Sequence, residues 1–197
     1  MAEYPESASQ TAGPYVHIGC TPNFAGLTGV YDLDLGARMI TGAAAGTRIT
    51  LTGRVFDGTG TPLRDAMVEA WQADAAGHHA GTAMADPHFT GFGRCPCDAD
   101  TGEFRFETLK PGPVAWPRGG MQAPHITLWI VARGINLGLH TRAYFADEHK
   151  ANGADPVLSR IEHKNRLPTL LATPAAAGEY HFNIHLQGPD ETIFFDV

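Results

Sequence analysis

Cysteine is scarce, and the three present, Cys20, Cys95 and Cys97, are an odd number. They cannot make a disulfide framework, which favours a reducing cytoplasmic setting. Positive charge is also short: 14 Lys and Arg against 21 Asp and Glu leave a net charge of −7. With no basic stripe to follow a phosphate backbone, the composition argues against a nucleic-acid partner. No apolar run approaches the roughly 20 residues of a membrane-spanning helix. The opening Met1 to Ser7 lacks the basic-then-apolar pattern of a secretion signal. A glycine-rich phosphate loop and a Gly-x-Ser-x-Gly elbow are both missing, so neither nucleotide binding nor serine hydrolysis has its usual anchor.

Turn formers are plentiful. With 23 Gly and 14 Pro, and 43% hydrophobic against 18% charged residues, the 197-residue chain reads as a compact, turn-rich globular protein with one substantial core. Residues 1–46 read as an irregular arm, with a Gly13-Pro14 turn signal and a small-residue link over residues 42–46. Such an arm has too little apolar surface to fold alone and must lie on something else. From Thr47 to the end at 197 the period is two. Ile49, Leu51 and Val55 share a strand face that leads into a hairpin-type turn at Asp57-Gly58-Thr59-Gly60. Met67 to Gln72, Phe104 to Phe106 and Tyr180 to Gln187 alternate in the same way, and Thr192 to Phe195 reads as a last short strand. Helix is limited to one or two short pieces. Asp147 to Asn152 has a glycine stop at Gly153, and Asp155-Pro156 is an N-cap and first-turn pair before Val157, Leu158 and Ile161, with Pro168 limiting any extension. Short strands between turn signals predict a mainly β protein, a β-sandwich.

His125 to Arg133 is the most informative run. Counting by twos, His125, Thr127, Trp129, Val131 and Arg133 share one face, and both faces are largely apolar, as in a strand covered on both sides. A His-x-His pair on a strand spans about 6.6 Å, close enough to hold one metal. Here Thr127 stands where the second imidazole belongs. Arg133 beside Trp129 and Val131 needs an anionic partner or an exit to water. The other candidates are weaker. His181 and His185 are about 13 Å apart on an extended strand, too far to share an ion, and His78-His79 point opposite ways. Cys95-Pro96-Cys97 lacks a second cysteine pair and reads as free thiols in or near the core.

Gly53 to Asp57, Pro62 to Asp74, Phe92-Gly93-Arg94, Phe104 to Gly112 and Ala123 to Ile126 resemble the intradiol ring-cleaving dioxygenases. Ser9 to Gly19, Ala132 to Asn136, His140-Thr141-Arg142 and Thr192 to Asp196 resemble more closely the alpha chains of its two-chain members acting on 3,4-dihydroxybenzoate. The resemblance implies a β-sandwich and a ferric ion held by two tyrosines and two histidines. This chain departs from that ligand set. Val114 occupies a tyrosine position, Thr127 replaces the second histidine, and no tyrosine stands near Thr82. Only His125 remains, and Gln122 replaces an active-site arginine. Trp116 persists beside this vestige and reads as packing.

The resemblance therefore implies no metal on this chain, with Fe(III) bound by a homologous beta chain. It places Thr11, Gly13, Pro14, Tyr15 and Arg133 at the wall of that partner's substrate pocket, with the 1–46 arm packing on the partner and a 47–197 sandwich behind it. The implied reaction inserts both atoms of O₂ into 3,4-dihydroxybenzoate to give 3-carboxy-cis,cis-muconate, in alpha–beta pairs gathered into a larger symmetric oligomer. The alternative is a metal-free sandwich that binds aromatic acids or a protein partner without catalysis. Co-purification with an iron-containing second chain separates the two.

Overall fold

The computed structural model describes residues 10–13, 15–136 and 138–196. After α1 (Val16–Cys20) come β1 (Arg48–Phe56), β2 (Met67–Trp71), β3 (Phe92–Pro96), β4 (Glu103–Leu109), β5 (Val114–Ala115) and β6 (Met121–Gln122). They are followed by β7 (His125–Val131), β8 (Leu139–Phe145), α2 (His149–Ala154), two 3₁₀ turns (Leu158–Arg160 and Lys164–Leu170), β9 (Leu171–Ala176), β10 (Glu179–His181) and β11 (Ile184–His185). Strand dominates, as the alternating pattern requires.

One nine-stranded sheet runs β11-β1-β10-β9-β8-β7-β2-β3, with β4 also paired to β1. It folds over its own core. Inward residues of β1 and β4 (Leu51, Val55, Phe104, Phe106) meet inward residues of β2, β7 and β8 (Val68, Ile126, Leu128, Ile130, Phe145) in one buried cluster. The two walls are joined through β9, which pairs parallel with β8 at Leu171 and Ala172 and antiparallel with β10 further on. Burying apolar surface at about 25 cal/mol per Å² makes this shared core the main stabilising element.

Several expectations need correction. The strand that begins at His125 stops at Val131, because the first residue of β2, Met67, opposes Val131 and no ladder partner lies beyond. Arg133 sits in the turn that follows, beside Gly134 at φ +89°. The Asp57 turn forms, but it folds Leu63 back onto Val55 instead of joining β1 to β2. The Tyr180 to Gln187 run breaks into β10 and β11, since Phe182 and Asn183 press on β1: Asn183 Oδ1 accepts the Arg54 N–H (3.1 Å), and a Cβ at Gly53 would lie 1.8 Å from the Phe182 carbonyl oxygen. Gly53 is required there by close approach.

Gly153 does not stop α2, which continues to Ala154 and ends at Asp155, whose ψ of 125° is what a following proline imposes. Pro168 lies inside a 3₁₀ turn. Thr192 to Phe195 adds only a bridge from Phe195 to His140. The arm is less irregular than its composition suggests, since it carries α1 and ties to the sandwich at Met39, Ile40 and Thr41.

Candidate functional site

The positions where the resemblance places metal ligands, Val114, His125 and Thr127, are set by β5 to β8. Register sets them: Val114 faces Gln122, His125 faces Tyr144, and Thr127 faces Arg142. His125 is buried, and its Nδ1 lies 2.7 Å from the Ala123 carbonyl oxygen, a contact that places the ring proton there. Burial, reinforced by the Arg142 charge, pushes its pKa down to about 4. Burial pushes the Tyr144 phenol up to about 12. Arg142 Nη1 donates to Gln122 Oε1 (2.9 Å) and to the Tyr144 hydroxyl oxygen (3.2 Å).

The nearest carboxylate, Asp155, is fully buried and committed to backbone donors at Ala123, Val157 and Leu158. The set around His125 is thus a neutral imidazole, a phenol, an amide, a threonine hydroxyl and a guanidinium. A ferric ion wants anionic oxygen donors and suffers from an adjacent cation, so these residues do not fit it. Among the described residues no group of three or more His, Cys, Asp or Glu side chains could hold a metal ion.

The residues expected at a partner's pocket wall lie at a second place. Thr11 Oγ1 donates to the Ala132 carbonyl (3.1 Å) and accepts from Gly134 N–H (2.9 Å), which clamps the arm onto the turn that carries Arg133. Asp65 holds the same turn from the other side. Its carboxylate pairs with Arg133 Nε at 2.8 Å, while its carbonyl lies 3.2 Å from His17 Nε2 on α1. The Arg133 side chain remains 70% exposed, and its Nη1 and Nη2 have no partner among the described residues. Tyr15 is 76% exposed at the start of α1. Among the described residues a Cβ at Gly13 would meet nothing within 4 Å. Pro14 lies outside the described residues.

The remaining candidates stay apart from both places. His181 Nδ1 meets Thr52 Oγ1 (3.3 Å), His185 stacks on Phe56, and His79 stacks on Trp71. Cys95 and Cys97 are free, and burial pushes Cys97 up to about 12, which makes it an inert thiol. Trp116 is only half buried, beside a cavity, with Arg160 over its ring at 5.5 Å. Sequence reasoning missed Arg142 and Asp65. Period-two alternation along Leu139 to Phe145 could have placed Arg142 on the same face as His140, but nothing local signals Asp65.

The chain matches the dioxygenase family profile over residues 20–188. It is 44% identical over 195 residues to the protocatechuate 3,4-dioxygenase alpha chain of Pseudomonas putida, covering 98% of this chain and 96% of that one. It is also 34% identical over 176 residues to the protocatechuate 3,4-dioxygenase beta chain of Burkholderia cepacia, covering 77% of this chain and 69% of that one. Among solved structures, 3-chlorocatechol 1,2-dioxygenase from Rhodococcus opacus 1CP shares the fold, with a TM-score of 0.61 at 24% identity, over 81% of this chain and 68% of that one. Among the described residues no helix is long and apolar enough to cross a membrane.

Proposed function

Because the chain belongs to the intradiol ring-cleaving dioxygenase family, we propose that it is the metal-free alpha subunit of a protocatechuate 3,4-dioxygenase and works with a homologous beta chain. The observation that carries this is the clamp of the arm onto the Arg133 turn by Thr11. It ties the segment that carries Thr11 and Gly13, just before the exposed Tyr15, to the turn that bears Arg133, while the chain's own ligand positions are unfit for iron.

The division of labour follows from the chemistry of each chain. The ferric ion on the beta chain supplies activation of the catecholate toward O₂. Arg133, fixed at Nε by Asp65, offers its two Nη groups to the carboxylate of 3,4-dihydroxybenzoate, a charge-assisted and geometrically selective contact. Tyr15 and the backbone at Gly13 close the wall around the ring and restrict its orientation and its water. The arm also presents eight large apolar side chains between Tyr15 and Leu35, each at least 43% exposed. Exposed apolar surface of this kind fits a contact with another chain, and we place the 1–46 arm on the beta chain, in alpha–beta pairs that repeat in a symmetric oligomer.

Co-expression with a homologous beta chain tests this. The expected result is an iron-containing complex whose kcat/KM for 3,4-dihydroxybenzoate collapses when this chain is left out. A beta chain equally active without it would overturn the reading.

A further inference from the structure

Arg133 projects from a turn, yet one carboxylate already engages it, and the sheet accounts for which one. β2 and β7 pair antiparallel with Met67 opposite Val131. Two residues further along each chain, beyond the end of the ladder, the same register sets Asp65 opposite Arg133, on the face that Met67 and Val131 share. Side chains at opposite positions of one face lie within reach of each other. The Asp65 carboxylate is 2.8 Å from Arg133 Nε.

The two partners are held unequally. Asp65 precedes Ala66, which is fully buried and whose carbonyl accepts the Cys97 N–H at 2.8 Å. The carbonyl of Asp65 itself lies 3.2 Å from His17 Nε2, so α1 bears on the same residue. The Arg133 side chain is 70% exposed, and Asp65 is its one carboxylate within 4.0 Å among the described residues. A long arginine loses rotamer freedom when a ligand fixes it. A well-anchored carboxylate on Nε removes much of that freedom beforehand and leaves Nη1 and Nη2 for a second carboxylate. An ion pair this exposed adds little to stability, so its consequence is where the guanidinium stands. The charge of Asp65 also opposes an incoming anion, but it does so from beyond the guanidinium, and Coulomb energy falls with distance. Aiming outweighs repulsion.

We infer that Asp65 is a positioning residue for Arg133 and, through it, a determinant of selectivity for catechols that bear a carboxylate over uncharged ones. Asp65 acts on the substrate only by way of the guanidinium. The inference rests on the reading above that places Arg133 at the substrate pocket.

Steady-state kinetics of the alpha–beta complex with 3,4-dihydroxybenzoate and with catechol test it. Asp65→Ala is expected to lower the preference for 3,4-dihydroxybenzoate about fivefold, the effect of ordering one long side chain on binding instead of beforehand. The loss falls on KM, with kcat retained. Asp65→Asn, which keeps an oxygen for Nε, is expected to recover part of it. In an Arg133→Ala background, Asp65→Ala is expected to change nothing further, because a positioning residue acts only through the group it positions. The backbone carbonyl that meets His17 is kept in every variant. The inference is overturned if Arg133→Ala lowers the preference while Asp65→Ala leaves it unmoved, if the two substitutions are additive, or if Asp65→Asn raises the preference above wild type, as relief of repulsion would. An Arg133→Ala complex with unaltered preference would overturn the pocket reading, and the inference with it.

Discussion

His125 keeps its imidazole neutral because burial disfavours the charged ring and Arg142 adds positive charge nearby, which together outweigh the pull of the Ala123 carbonyl on the Nδ1 proton. The consequence for stability has a definite sign. An unfolded histidine gains a proton below its ordinary 6.5, while the folded one waits until about 4. The contribution of neutral His125 is therefore fully present above pH 6.5 and is lost as pH falls, by at most about 1.4 kcal/mol per pH unit. Urea unfolding at pH 7 and pH 5 is expected to show a larger loss for the wild type than for His125→Gln, and equal losses would contradict it. Arg133 makes a second case. Arg133→Ala is expected to raise KM for 3,4-dihydroxybenzoate about tenfold, the scale of one charge-assisted hydrogen bond, while leaving catechol turnover and iron content unchanged. Equal effects on both substrates would assign the side chain a packing role. The retained His125 and the substitution at Thr127 were legible in the sequence. The contact of Arg142 with Gln122 was not, because it depends on which residue of β8 faces Thr127.

Asp155 shows how one side chain joins elements. Its Oδ1 accepts Val157 and Leu158 N–H at 2.7 and 2.8 Å, and its Oδ2 accepts Ala123 N–H at 2.7 Å across the β6–β7 connection. Asp155→Ala strips all three donors of their acceptor at a fully buried position and is expected to cost about 3 kcal/mol or more. Asp155→Asn, which keeps one carbonyl oxygen, is expected to recover part of it. Chemical denaturation of both variants checks this, and a loss below about 1 kcal/mol would mean that water replaces the carboxylate. The cap over Pro156 could be read from Asp155-Pro156 itself. Its second role could not, since Ala123 is remote in sequence. The same reason explains the errors elsewhere. Alternation located the strands, but the break at Phe182-Asn183 and the end of β7 at Val131 depend on neighbours that no local pattern names.

The whole molecule is a family sandwich with an altered metal position and an arm that displays apolar surface. The family was legible because the matching segments, from Gly53-Arg54 to Ala123-Pro124-His125, are those that fix the sheet and the turn chemistry. The arm's surroundings were not, since partner contacts leave no periodicity in one chain. What the account requires of the molecule is that iron never depends on this chain's own residues. Metal analysis of the purified alpha–beta complex decides it, with wild-type His125 and with His125→Ala. One iron per alpha–beta pair in both is the expected result, with none retained by this chain expressed alone. About one iron bound to the isolated chain, lost on His125→Ala, would contradict it.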